Sequence, residues 1–379
     1  MTPPNNQINV DARLVAANTK FGFNLFNTLS KQQPNKNIFI SPTSVALALS
    51  MTYNGVSGET KQEMTKVLEL TGMTPQEINA ANQNLQNSLK KNDPNVQVSI
   101  ANSLWAKQGF SIKPEFQQTN QEYYQANVTE LDFINPQAPS IINNWVSQKT
   151  QGKIDKIVTT INPDTLLFLI NAIYFKGNWK TPFDKSKTGN KTFYLTDRRS
   201  KQHPMMSQRG SYLCYETDTF QAVSLSYGEK DALSMYIFLP NPNTNLATFS
   251  QQLTPENWNK WIQEFRRKNG RIEIPRFKME YEVQLKDTLI ALGMAEFFGG
   301  LKTDFSAMTD SQVVVESVAH KTFVEVNEEG TEAAVTSLMP SSRSVGSFFQ
   351  MNVNRPFFCA IRDHSTGTIL FMGTIVDPQ

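Results

Sequence analysis

From Thr165 to Phe175 the chain reads Thr-Leu-Leu-Phe-Leu-Ile-Asn-Ala-Ile-Tyr-Phe. A strand that is apolar on both faces suits the centre of a sheet, where neither face meets water. That one segment commits the chain to a large sheet with cover on both sides. The rest of the sequence supplies the cover and the neighbouring strands.

Helical spacing dominates the first half. Leu14, Ala17, Phe21 and Leu25 form a stripe within Asp11–Ser30. A short apolar strand at Ile38 breaks at Ser41-Pro42, and Thr43–Met51 reads as a buried helix rich in Ala and Leu. Gly58–Leu70, Pro75–Lys91, Pro114–Gln125 and Asn143–Thr150 are further helices, the last closed by Gly152. Val96, Val98 and Ile100 alternate with polar residues, the strand period. From Phe193 onward strands prevail: Leu233–Leu239, Arg271–Pro275, Val313–Val315, Phe323–Val326 and Ile369–Val376. Helices at Thr254–Phe265 and Leu285–Gly293 interrupt them. The pattern is α+β. No linker or repeat divides it, so residues 1–379 are expected to form a single domain with residues 1–10 as a flexible tail.

Composition narrows the function. With 36 Lys+Arg against 34 Asp+Glu the net charge is +2, too small for a nucleic-acid or membrane field. Arg266-Arg267-Lys268 and Lys90-Lys91 are short basic steps read as solvated faces, so no strong polyanion site is expected. No apolar stretch reaches membrane-spanning length, and Met1-Thr-Pro-Pro lacks the basic start and apolar run of a signal peptide. Two cysteines, Cys214 and Cys359, are too few for a disulfide framework and read as buried free thiols. Three histidines, His203, His320 and His364, leave little room for metal chemistry, so no metal or cofactor is expected. No Gly-x-Ser-x-Gly, His-Glu-x-x-His, Cys-x-x-Cys or Gly-x-Gly-x-x-Gly motif is present, which argues against an enzyme. Sequons stand at Asn127 and Asn190 and would matter only in a eukaryotic secretory route.

The most informative stretch is 327–355. It opens acidic with one glycine, continues through small and β-capable residues, and ends in a Ser-rich tip holding a lone Arg343. At roughly 25 residues it is long for a connecting loop, and loops of that length tend to carry function. Read with period two, Thr331, Ala333, Val335, Ser337, Met339 and Ser341 share one face, and most of them are small. Such a face suits a strand that must slide between existing strands without clashes.

Phe323-Val-Glu-Val-Asn-Glu-Glu-Gly-Thr-Glu-Ala-Ala resembles the loop hinge of an inhibitory serpin, a serine protease inhibitor. The resemblance runs on through Phe39-Ile-Ser-Pro-Thr-Ser-Val-Ala, Asn171-Ala-Ile-Tyr-Phe-Lys-Gly-Asn-Trp-Lys-Thr-Pro-Phe and Pro275-Arg-Phe-Lys-Met-Glu-Tyr. It continues in Leu292-Gly-Met-Ala-Glu-Phe-Phe, Thr303-Asp-Phe-Ser, Asn354-Arg-Pro-Phe-Phe and the stretch from Gly367 to Pro378. These blocks occur in the family's order over residues 39–378.

The resemblance implies a fold of three β-sheets with about nine helices and an exposed reactive-centre loop, here about residues 328–350. It implies a monomer that acts as suicide substrate: a target serine protease cuts the loop, forms its acyl-enzyme, and is trapped as the loop enters the largest sheet. The hinge would comprise Glu328, Glu329, Gly330, Thr331, Glu332, Ala333 and Ala334. Ser41, Ser44, Asn171 and His320 match a polar cluster that controls strand separation, and Trp179 matches a tryptophan where the loop enters. On composition alone His320 is equally a satisfied core histidine and Trp179 a core aromatic. Family spacing puts the scissile bond at Arg343-Ser344 or at Ser344-Val345. The first suits a trypsin-like pocket and is the one favoured; the second implies an elastase-like target, and Leu338 and Met339 would serve other proteases. Pro340 departs from the pattern because it donates no ladder hydrogen bond, but it comes late in the run. The rival within the family is a non-inhibitory chaperone, carrier or storage protein that is cleaved without trapping. Family members are extracellular by default, while the absence of a visible signal peptide leaves an intracellular protein open.

Overall fold

The computed structural model describes residues 9–90, 93–126, 128–162, 165–300, 303–331 and 348–379. The 1–10 tail expectation therefore falls almost wholly outside the described residues, as does Asn127.

Local rules set the first elements. Helix α1, Ala12–Gln32, starts at Asp11, whose carboxylate accepts from the Arg13 N–H, and buries the expected Leu14, Ala17, Phe21 and Leu25. Strand β1 is Ile38–Ile40. Helix α2, Pro42–Tyr53, has Ser41 as its cap and Pro42 in its first turn, and all twelve of its residues are buried. Helices α3 (Gly58–Val67), α4 (Pro75–Leu89) and α5 (Pro114–Tyr124) follow close to the expected bounds. Helix α6, Ala138–Lys149, begins five residues ahead of the expected Asn143, because Pro139 is tolerated in a first helical turn. Helices α7 (Leu246–Ser250), α8 (Pro255–Glu264) and α9 (Lys286–Leu292) complete nine among the described residues.

The strands are β2 (Val96–Lys107), β3 (Val128–Leu131), β4 (Leu167–Asn178), β5 (Gly189–Tyr194), β6 (Ser200–Glu216), β7 (Phe220–Tyr227) and β8 (Leu233–Pro240). They continue with β9 (Arg266–Pro275), β10 (Phe277–Gln284), β11 (Val315–Val326), β12 (Gly330–Thr331), β13 (Phe349–Asn352), β14 (Phe357–Asp363) and β15 (Ile369–Ile375). The expected pair of strands at Val313–Val315 and Phe323–Val326 is corrected to one strand, β11. The polar run between them read as a break, yet its side chains find partners inside the fold: the Lys321 ammonium donates to the Lys156 carbonyl at 2.7 Å and the Thr322 hydroxyl to the Phe39 carbonyl at 2.6 Å.

One network runs β10-β11-β4-β2-β3 with β12 added on β4. The other runs β1-β15-β14-β8-β7-β6-β9-β13 with β5 on β6. Strand β6 joins the two parts of this larger network. Its start, Ser200–Met205, pairs with β5, Met205–Cys214 pairs with β9, and its last residues, Leu213–Glu216, pair with β7. Two of the three expected sheets are thus linked through one seventeen-residue strand.

Strand β4 occupies the centre that its composition demanded. Ile170, Ala172 and Tyr174 lie in a cluster with Ile142 and Val146 of α6. Leu169, Ile173 and Phe175 join the main core with α2. Cys214 and Cys359 are buried free thiols, and burial pushes the Cys359 thiol up to about 12.

Candidate functional site

The central feature is the seam between β4 and β11. The two strands are parallel and pair directly from Val315 opposite Leu167 to Phe323 opposite Tyr174. Beyond that point β4 runs on to Asn178 and β11 to Val326 without pairing to each other. The chain then reverses at Asn327–Gly330, where the Asn327 N–H donates to the Gly330 carbonyl at 2.9 Å. It returns antiparallel to β4, with Gly330 opposite Asn178 and Thr331 opposite Gly177. The mouth of the seam therefore already holds two residues of a further strand.

Gly330 is required there. Its φ is +152°, and a Cβ at this position would stand 2.2 Å from the Gly177 carbonyl oxygen and 2.5 Å from Asn178 Cα. Gly177 matters on the other side of the contact, since Phe175 and Tyr227 rings fill the space a Cβ would take.

The acidic residues ahead of Gly330 are gripped by the fold. Glu328 is 1% exposed and takes Arg276 Nη2 at 2.9 Å and Nε at 3.0 Å, with the Thr188 hydroxyl at 2.6 Å on its other oxygen. Burial pushes this carboxyl up, but the hydrogen bonds from Thr188, the backbone and Arg276, with the Arg276 charge, outweigh it and leave it below the ordinary carboxylate value. The Glu328 carbonyl accepts from the Phe183 N–H at 2.7 Å, and the Glu329 carbonyl from the Trp179 N–H at 2.9 Å. Lys185 pairs with the Glu329 carboxylate.

Trp179 sits at this mouth. Its indole Nε1–H donates to the Asn327 carbonyl at 2.9 Å, and its ring stacks on Tyr227 with centroids 4.5 Å apart and planes 14° apart. The Tyr227 hydroxyl in turn meets the Thr331 hydroxyl at 2.9 Å. Trp179 and Tyr227 thus clamp both the turn and the first rung beneath it.

Lower in the seam, His320 and Asn171 are register partners on β11 and β4. His320 Nδ1 lies 2.5 Å from Asn171 Oδ1, while Nε2 accepts from the Ser41 backbone N–H at 3.1 Å. An acceptor at one ring nitrogen and a donor at the other define a neutral imidazole with its proton on Nδ1. Burial pushes the ring down to about 3. The Asn171 amide donates to the Ser44 carbonyl at 2.9 Å and to the Ser44 hydroxyl and Asn102 Oδ1 at 2.5 Å each. The Ser41 hydroxyl caps α2 by accepting the Ser44 N–H at 3.3 Å. Ser41, Ser44, Asn102, Asn171 and His320, five residues separated by up to 279 positions, are one network that ties α2 to both strands of the seam.

Of the expected site, Ser41, Ser44, Asn171 and His320 converge, and Trp179 joins Glu328, Glu329, Gly330 and Thr331. Glu332, Ala333, Ala334, Arg343, Ser344 and Val345 lie outside the described residues. Sequence reasoning missed Tyr227, Arg276, Thr188 and Asn102 as members. Arg276 stands inside a quoted block and Asn102 in an alternating strand, but no linear spacing joins any of the four to the hinge or the histidine.

The family model described as Serpin (serine protease inhibitor) matches residues 16–378. Human Serpin B8 is 34% identical over 374 residues, covering 96% of this chain and 99% of its own. Human leukocyte elastase inhibitor is 34% identical over 389 residues, covering 97% of this chain and 100% of its own. The native state of tengpin, a thermophilic serpin, superposes with a TM-score of 0.90 at 31% identity, covering 97% of this chain and 95% of that one. The reading of the chain as no enzyme is corrected in its ground. Missing motifs do not bear on the matter; the chain-long match does, and it is to proteins named as serpins and as an inhibitor. Matched from residue 16 to residue 378, the chain belongs to the serpin family of serine protease inhibitors.

Proposed function

We propose that this serpin inhibits serine proteases as a suicide substrate, by inserting its reactive-centre loop between β4 and β11. The observation that carries the reading is Gly330–Thr331 paired antiparallel to the top of β4. A strand entering between two parallel strands from the end of β11 must run antiparallel to both, and these two residues already do. Thr331 directs its hydroxyl inward to Tyr227, so once the loop is inserted period two would send Ala333, Val335 and Ser337 to the same covered face. Glu332 would then face outward, where its charge stays hydrated.

Each backbone hydrogen bond of the new strand contributes about 0.5–1.5 kcal/mol net, over roughly ten residues. The uninserted form is then held by a barrier rather than by the lowest free energy. The His320–Asn171–Ser41–Ser44 network is the lock on the seam, and Trp179 with Tyr227 the guide at its mouth. Val335, being β-branched, suits a strand, and Pro340 removes one late hydrogen bond.

Cleavage is assigned to Arg343-Ser344, with the Arg343 guanidinium answering a carboxylate in a trypsin-like pocket. Incubation with trypsin tests the whole reading: a covalent complex should survive SDS, and mass spectrometry of the released peptide should begin at Ser344. Cleavage without a complex would establish the non-inhibitory alternative. A peptide beginning at Val345, with elastase trapped better than trypsin, would move the bond by one residue.

A further inference from the structure

A second feature lies apart from the seam. A cavity of about 860 Å³ opens between the end of α1, the end of β5, the stretch from Pro240 through α7, and Arg355. That volume falls in the range of small-molecule sites. Its lining includes Lys31, Lys36 and Arg355 and contains no Asp or Glu. None of the three cations pairs with a carboxylate among the described residues.

Arg355 is the informative one. It is half-buried; its Nε donates to the Pro240 carbonyl at 2.9 Å and Nη1 to Asn354 Oδ1 at 3.2 Å. Among the described residues Nη2 has no acceptor. Burial lowers the pKa of this guanidinium, the sign of a cation held without a counter-charge. Ser30 also lines the cavity, and its hydroxyl is buried without a hydrogen-bond partner. Ile38, Tyr194, Leu195 and Val376 give the same cavity apolar walls.

We propose that this cavity binds an amphipathic organic anion, such as a medium-chain carboxylate, with its acid group on Arg355 and its apolar body against Tyr194 and Leu195. A half-buried guanidinium without a counter-charge is complementary to a carboxylate, to which its Nη2 can donate. The apolar walls exclude a bare inorganic ion as the best occupant. The inference is independent of protease trapping and stands or falls without it.

The test uses the full chain and 11-(dansylamino)undecanoate, with its methyl ester as the uncharged control. The acid should bind with a Kd below roughly 100 µM and the ester at least tenfold more weakly. Arg355→Gln should weaken the acid at least tenfold. Tyr194 is 51% exposed, so Tyr194→Glu should leave folding intact and, by setting a carboxylate in the wall, produce a loss of similar size. Absence of binding, equal binding of acid and ester, or unchanged binding in Tyr194→Glu would overturn the assignment.

Discussion

His320 of β11 and Asn171 of β4 join the two central strands side chain to side chain, Nδ1 to Oδ1 at 2.5 Å, directly across the line along which the sheet would open. Both residues are 0% exposed, so every bond they lose on opening must be replaced at once. Their chemistry leads to the first prediction.

The folded protein holds His320 neutral, with a pKa near 3 against 6.5 for a free ring. A base whose folded pKa is depressed binds its proton more readily in the unfolded chain. Stability from this residue is therefore whole above pH 6.5 and is lost as the pH falls toward 3. At pH 4 the loss should be about 3 kcal/mol. Urea unfolding followed from pH 7 to pH 4 should show this slope, and His320→Gln should flatten it. Equal slopes in the two proteins would remove His320 as the source.

Gly330→Ala places a methyl group against the Gly177 carbonyl and in a backbone region that disfavours side chains. The first rung should detach from β4 at a cost of about 1–3 kcal/mol. In the trapping assay the variant should be cut at a normal rate yet form less complex, so more inhibitor is consumed per protease inactivated. A stoichiometry equal to wild type would show that the rung plays no part in insertion.

The Glu328–Arg276 pair joins a carboxylate that is 1% exposed to an arginine that is 46% exposed. Arg276→Gln leaves the carboxylate buried with only Thr188 and backbone donors, whereas Glu328→Gln leaves the cation free to reach water. The arginine variant should therefore lose more stability, about 1–3 kcal/mol after allowance for solvent screening. Because Glu328 has a depressed pKa, the wild-type contribution is present above the ordinary carboxylate value and fades as the pH falls through the folded one. Thermal unfolding of both variants at pH 7 gives the ranking.

Tyr227 and Thr331 meet hydroxyl to hydroxyl at 2.9 Å, both buried. A double-mutant cycle with Tyr227→Phe and Thr331→Val should return a coupling of about 1 kcal/mol in the stability of the uncleaved protein. A coupling near zero would mean that the guide at the mouth makes no contribution to holding the hinge.

Some of this could be read along the chain. The doubly apolar run at Thr165–Phe175 suits a central strand, and Leu167–Asn178 is one, with α6 on one face and the main core on the other. The Ser41-Pro42 break required a helix start, since Pro has no N–H to lose in a first turn and Ser supplies a capping oxygen. Gly330 takes a positive φ that its missing side chain permits. These are local consequences of periodicity, capping and steric permission, and they depend on neighbours in sequence.

What the sequence could not determine is which distant groups would complete each polar atom. The sequence reads as strands at Val313–Val315 and Phe323–Val326, and polar side chains such as those of His320-Lys321-Thr322 are costly inside a strand until their partners are known. The fold supplied Asn171, the Lys156 carbonyl and the Phe39 carbonyl, from as far as 283 positions away, and the strand became continuous. Arg276 and Thr188 reach Glu328 for the same reason. Hydrophobic pattern is a property of a segment, whereas hydrogen-bond satisfaction is a property of the packed whole, and only the tertiary structure decides it.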